Sequence, residues 1–98
     1  RHYVHAALLE ESGDFVDADD ALRRALYVDP DFVLAHYLRG GVLARLRREI
    51  GARRHFARAI ELALALPEDA PVPFAVGMRP KVLAEVISAA AHRTGCAR

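Results

Sequence analysis

Residues 35–41 read AHYLRGG, and the paired Gly40 and Gly41 fall in the middle of an apolar pattern with helical spacing. Glycine inside a helix costs about 0.5–1 kcal/mol relative to alanine, so two in succession want a reason. Either the helix breaks there, or a neighbour comes so close that a side chain would not fit. The flanking sequence decides. Placing ALLEESGDFVDADDALRRAL (7–26) above GVLARLRREIGARRHFARAI (41–60) brings Ala18 onto Ala52, Leu22 onto Phe56 and Ala25 onto Ala59, each 34 residues apart. At the same offset Ala6 falls on Gly40, Leu9 on Leu43, His2 on His36 and Tyr3 on Tyr37. Small residues match small and large apolar residues match large, so the chain carries an internal repeat. AHYLRGG therefore belongs to an unbroken helix. Gly40 takes the small position where the two helices of one repeat press closest, a place that tolerates a Cβ but not a leucine. Gly41, the counterpart of Ala7, faces a concave side and leaves room for a ligand or another backbone.

Working outward, a first helix is expected over about 1–12, followed by a turn at Gly13–Asp14. A second covers 15–28, with Phe15, Ala18, Leu22, Ala25 and Leu26 at helical spacing. Asp29-Pro30-Asp31 ends it and can cap a third helix over 31–46. The fourth spans 49–66, and the turn before it is expected to be rebuilt around Gly51, because Arg47 stands where repeat one has glycine. PEDAPVPFAVGM (67–78) holds three prolines, which favour an extended run that buries Phe74 and Val76. A last helix over 79–94 follows, started by Pro80, closed by Gly95 and striped with Val82, Leu83, Val86, Ile87 and Ala90. The expected fold is all-α: repeat one (1–31), repeat two (32–66), an extended linker (67–78) and a capping helix (79–94) against the fourth helix.

The bulk composition fits one folded domain: 98 residues, 53% hydrophobic and 28% charged. The longest apolar run, IELALALP at 60–67, falls short of the ~18 residues a membrane span takes. The opening RHYVHAALLEE lacks the basic, apolar and small segments of a signal peptide, and the absence of an initial Met predicts a piece cut from a longer chain. The single Cys96 has no partner for an internal disulfide and fits a reducing, cytoplasmic setting. Net charge is only +1, but residues 1–31 balance at −5 and residues 32–66 at +5. Such a split suggests end-to-end contacts or a polar partner.

A period of 34 residues is that of the tetratricopeptide repeat (TPR), a helix–turn–helix unit. The chain resembles that family through Ala6, Gly13, Ala18, Leu22, Ala25 and Pro30 in repeat one and Gly40, Ala52, Phe56 and Ala59 in repeat two. It departs from the pattern at Arg39 in place of Leu, Arg47 in place of the turn Gly and Leu64 in place of Pro. DPDFVLAHY, ARRHF and LPEDAPVP followed by a helix further resemble the TPR segment C-terminal to the catalytic domain of some CheR-type chemotaxis receptor methyltransferases, over roughly residues 22–90. The resemblance implies a TPR-like α-α superhelix that binds protein or peptide and is not itself an enzyme. In that reading it is the targeting arm of a bacterial signalling methyltransferase. Implied partners are a receptor cytoplasmic domain, a response regulator or a second copy in a homodimer, with no membrane insertion. The family's concave groove carries over to Tyr3, Ala7, Glu10 and Glu11 in repeat one, and to Leu34, Tyr37, Gly41, Ala44 and Arg45 in repeat two. The basic and asparagine clamp that some such repeats place on a peptide C-terminus is absent at Tyr3 and Ala7.

Chemistry beyond binding finds little support in the residues. No strand leads into a Gly-rich turn, so no S-adenosylmethionine or other cofactor site is expected. His2 and His5 stand three apart, but no acid or thiol completes a metal set at convincing spacing, and a structural role is the reading. His55 and His92 read as surface or boundary residues, and no Ser–His–Asp or paired-carboxylate arrangement stands out. The alternative is a nucleic-acid-binding helical domain using Arg45, Arg47, Arg48, Arg53, Arg54 and Arg58. The near-neutral total and the acids of repeat one oppose it, so no nucleic-acid partner is expected.

Overall fold

The computed structural model of the chain describes residues 1–95, and the expectation for Cys96 lies outside the described residues. Those residues form five helices and no strand: α1 (His2–Glu11), α2 (Phe15–Val28), α3 (Val33–Arg45), α4 (Glu49–Ala65) and α5 (Pro80–Arg93). α1 pairs with α2 and α3 with α4 as two helical hairpins; α2 packs on α3, and α5 covers α4. No helix among the described residues is long and apolar enough to cross a membrane.

The hairpins repeat atom for atom at their turns. In the first, the amides of Ser12, Gly13 and Asp14 donate to the carbonyls of Leu8, Glu10 and Leu9; in the second, those of Leu46, Arg47 and Arg48 donate to Val42, Ala44 and Leu43. Each of these bonds recurs at the 34-residue offset. Gly13 has φ 82° and Arg47 φ 64°. The turn is thus conserved in shape rather than rebuilt, with an arginine forced into the left-handed region, and Gly51 sits inside α4, where an added Cβ would meet Leu43 at 3.1 Å. An L-residue in that region is strained by about 1–2 kcal/mol, partly offset in glycine by its larger unfolded-state entropy. Arg47→Gly should therefore stabilise the fold by about 0.5–1 kcal/mol and raise Tm by roughly 3–6 °C in a thermal melt. An unchanged or lower Tm would contradict the equivalence of the two turns.

α3 runs unbroken through Gly40 and Gly41. A Cβ on Gly40 would lie 2.8 Å from Cδ1 of the Phe56 ring, so the expectation that this site tolerates one fails. The reason is the partner: the equivalent pair in repeat one is Ala6 with the slimmer Leu22, both fully buried. Gly41 meets nothing within 4 Å.

Other details also depart from the expected pattern. α3 starts at Val33 with Phe32 at the cap position and no side-chain cap; Asp29 instead accepts from the Asp31 amide at 3.3 Å, and Asp31 pairs with Arg58 at 3.6 Å. Without a counterpart to Pro30, α4 continues to Ala65. The linker is a series of turns rather than an extended run, the amides of Ala70, Ala75 and Met78 donating to the carbonyls of Pro67, Val72 and Ala75; it buries Val72, while Phe74 is 58% and Val76 98% exposed. In α5 the inward face is Pro80, Leu83, Ala84, Ile87, Ala90 and Ala91; Val82 and Val86 turn outward, because the helix is rotated relative to the expected stripe. Gly95 closes α5 at φ 75°, its amide donating to the His92 carbonyl.

The core falls into two clusters. One gathers Val33, Leu34, Leu43, Phe56, Val72 and Ile87 with the alanines of α4 and α5. The other gathers Leu22 and Val42 with Ala6, Ala18, Ala21, Ala25 and Ala35. Tyr3, Phe32 and Leu46 pack against both.

Candidate functional site

The first helices of the two hairpins, α1 and α3, touch each other and carry the residues expected to line a groove. Tyr3 and Tyr37 both pack against the same core cluster; burial pushes the Tyr3 phenol upward from its ordinary pKa, and Tyr37 adds a smaller share. Tyr37 also leans on Phe56, with ring centroids 6.2 Å apart. Ala7, Glu10, Gly41 and Ala44 are half-buried and Glu11 is exposed. Leu34 is buried and contributes packing rather than accessible surface. Arg45 is exposed, and its guanidinium lies 4.5 Å over the ring of Phe15, a cation–π contact that directs it toward repeat one.

Tyr3 is not an open anchor. Its ring lies 5.1 Å from Phe32 and 5.2 Å from Phe74, and these two stack on each other at 5.6 Å. The segment after α4 thus reaches back across α3 to the start of α1. A cavity of about 340 Å³ opens beside this cluster between Arg1, Tyr3, Val28 and Phe32. Another of about 250 Å³ also borders Phe32 and is bounded by Leu62, Leu66, Pro71 and Pro73.

A second polar constellation joins the repeats. Arg39 donates through Nε to Asp19 at 2.7 Å, and the carboxylate is almost wholly buried between α2 and α3. Nearby, His36 and His55 stack with centroids 5.2 Å apart and share a hydrogen bond of 3.0 Å between their Nδ1 atoms. His36 donates through Nε2 to the Pro30 carbonyl at 2.8 Å, so in the neutral pair His36 Nδ1 accepts from His55. His55 is therefore no ordinary surface residue: α4 turns it onto α3.

Burial, reinforced by Arg39, holds the His55 pKa down at about 4, and burial also lowers that of His36 against the pull of its bond to Pro30. Both folded values lie below the unfolded 6.5. Above that pH neither state is protonated and nothing is lost; as pH falls from 6.5 toward 4 the unfolded chain gains protons that the fold refuses. Stability should drop by about 1 kcal/mol between pH 7.5 and 5, a figure halved to allow for solvent screening. Urea melts across that range should show the slope, and His55→Gln should flatten it. A slope unaltered in the variant would assign it to other groups.

His2 is half-buried and His5 exposed, and no group of three or more metal-ligating side chains occurs among the described residues. Of the arginines weighed for nucleic acid, Arg58 pairs with Asp31 and Glu61, whereas Arg47, Arg48, Arg53 and Arg54 are exposed. The chain matches no family model, no curated protein and no solved structure.

Proposed function

We propose that the chain is a tetratricopeptide-type protein-interaction module, in which the two hairpins continue a superhelical stack and their first helices line a concave binding surface. It acts by binding rather than catalysis, as the cytoplasmic targeting arm of a CheR-type signalling methyltransferase whose enzymatic domain lies elsewhere. One observation carries the reading: the hairpin recurs at 34 residues with the same hydrogen bonds at its turn, so that Tyr3 and Tyr37 pack against one core cluster from touching first helices. Tyr37, half-buried and with a polar tip, is suited to anchoring a peptide or helix, and the open space above Gly41 admits a close backbone.

The test is panning of the immobilised chain against displayed peptide and helix libraries, which presupposes no partner. The native chain should enrich binders, and Tyr37→Ala with Arg45→Glu should lose them while its helical circular dichroism stays unchanged. Binders equally well retained by the folded double variant would refute the groove assignment.

A further inference from the structure

The two hairpin turns share one pattern of hydrogen bonds and carry opposite charge. Residues 11–20 hold five acids and no base, whereas residues 45–54 hold five arginines and a single acid, Glu49. The inversion falls on equivalent positions: at the 34-residue offset Glu11 corresponds to Arg45, Asp14 to Arg48 and Asp20 to Arg54, all six exposed. Equivalent too are Val16 and Ile50, which stand 63% and 70% exposed in the first turns of α2 and α4. A shallow cavity of about 400 Å³ beside Ile50 is lined by Arg47, Arg48 and Gly51. The turns lie side by side, since Arg45, the last residue of α3, reaches to within 4.5 Å of the ring of Phe15, the first residue of α2. Among the described residues no ion pair joins the two sets. Asp19 and Asp20 pair with Arg39 and Arg23, while Asp14 and Asp17, like Arg48, Arg53 and Arg54, make no ion pair there. Each turn is thus a patch crowded with one sign of charge around an exposed branched aliphatic side chain.

We infer that the two patches are halves of one self-complementary surface, through which two copies of the chain associate about a twofold axis passing between the turns. The acidic turn of each copy then meets the basic turn of the other, and Val16 of one meets Ile50 of the other on both sides of the axis. Setting like turns together would place acid on acid and arginine on arginine, so the inversion selects the antiparallel arrangement. Such a contact is isologous and closes on itself, leaving neither patch free to recruit a third copy. A nucleic acid laid on the arginines would instead face the acids beside them. Because the contact is mostly charged, it fixes orientation more than it adds affinity, and the dimer is weak and sensitive to salt. It goes beyond the groove reading and does not rest on it, because Tyr37 takes no part.

Sedimentation velocity of the native chain should show a dimer at about 0.01 M salt and a monomer at about 1 M, as the Debye length falls from about 30 to about 3 Å. Asp14→Arg/Asp17→Arg/Asp20→Arg makes both turns basic, and Arg48→Glu/Arg53→Glu/Arg54→Glu makes both acidic. Each triple variant alone should self-associate roughly a hundredfold more weakly than the native chain. Mixed in equal amounts, the two should recover a dimer containing one copy of each. A native chain that stays monomeric at about 0.1 mM and low salt overturns the proposal, and so does a triple variant that still pairs with itself or a mixture that stays monomeric. A monomer that binds a short DNA duplex in the same buffer would assign the arginines to nucleic acid. Should either triple variant lose its helical circular dichroism, Val16→Arg decides the matter: it alters one exposed side chain and should dissociate the low-salt dimer, and a dimer that survives it overturns the proposal. Peptide panning of Tyr37→Ala/Arg45→Glu reads the groove separately, so either result can fail while the other stands.

Discussion

Arg39→Leu should destabilise the protein by about 3–4 kcal/mol, although leucine is the residue that the repeat pattern favours at that position. The substitution strands Asp19, whose side chain is only 7% exposed and which takes a 2.7 Å hydrogen bond from Arg39. A buried carboxylate without its cation must either remain charged in a poor solvent or take up a proton. Small domains are stable by only about 5–15 kcal/mol, so the variant should melt far earlier than the native chain. Removing the acid as well should reverse most of the loss: Asp19→Ala with Arg39→Leu exchanges an ion pair for apolar contact, which is often neutral or stabilising. Urea melts of both single variants and the double complete the cycle. A cost below about 1 kcal/mol for Arg39→Leu would mean that water reaches Asp19 and the pair is a surface bridge.

Gly40→Ala should cost about 1–3 kcal/mol, against the usual helical preference for alanine of about 0.5–1 kcal/mol. The added Cβ would stand 2.8 Å from Cδ1 of Phe56, 2.9 Å from Cγ and 2.9 Å from Cε1, so the whole ring must shift in a packed interior. Phe56→Leu alone should also cost stability, since it leaves a cavity beside the glycine. Together they recreate the Ala6–Leu22 combination already present and fully buried in repeat one. The double variant should be more stable than either single one; additive losses would show that the two hairpins do not pack alike.

These two cases show what a single sequence reveals. The 34-residue offset marked Gly40 and Ala6 as equivalent, and with them four helices; Pro80 and Gly95 bounded the fifth, and all five lie within about two residues of their expected ends. It did not reveal that the glycine answers to a bulkier partner, because volume is shared across a contact while periodicity is read along one strand of chain. Arg47 misled for a related reason: glycine signals a left-handed turn, but six hydrogen bonds repeated in pairs imposed that turn on an arginine. His55 and Phe74 were out of reach because their partners, His36 and Tyr3, lie 19 and 71 positions away. Such contacts depend on helix rotation, which a rotated α5 shows to be poorly specified by apolar spacing when valines and alanines are interspersed.

The division of the core between two clusters has a thermodynamic consequence. The N-terminal one is built from Leu22 and Val42 among alanines, and α1 fully buries only Ala6. Little area is removed from water there, so the opening hairpin should fray locally and exchange its amide protons before α4 and α5 do, which hydrogen exchange under native conditions would read directly.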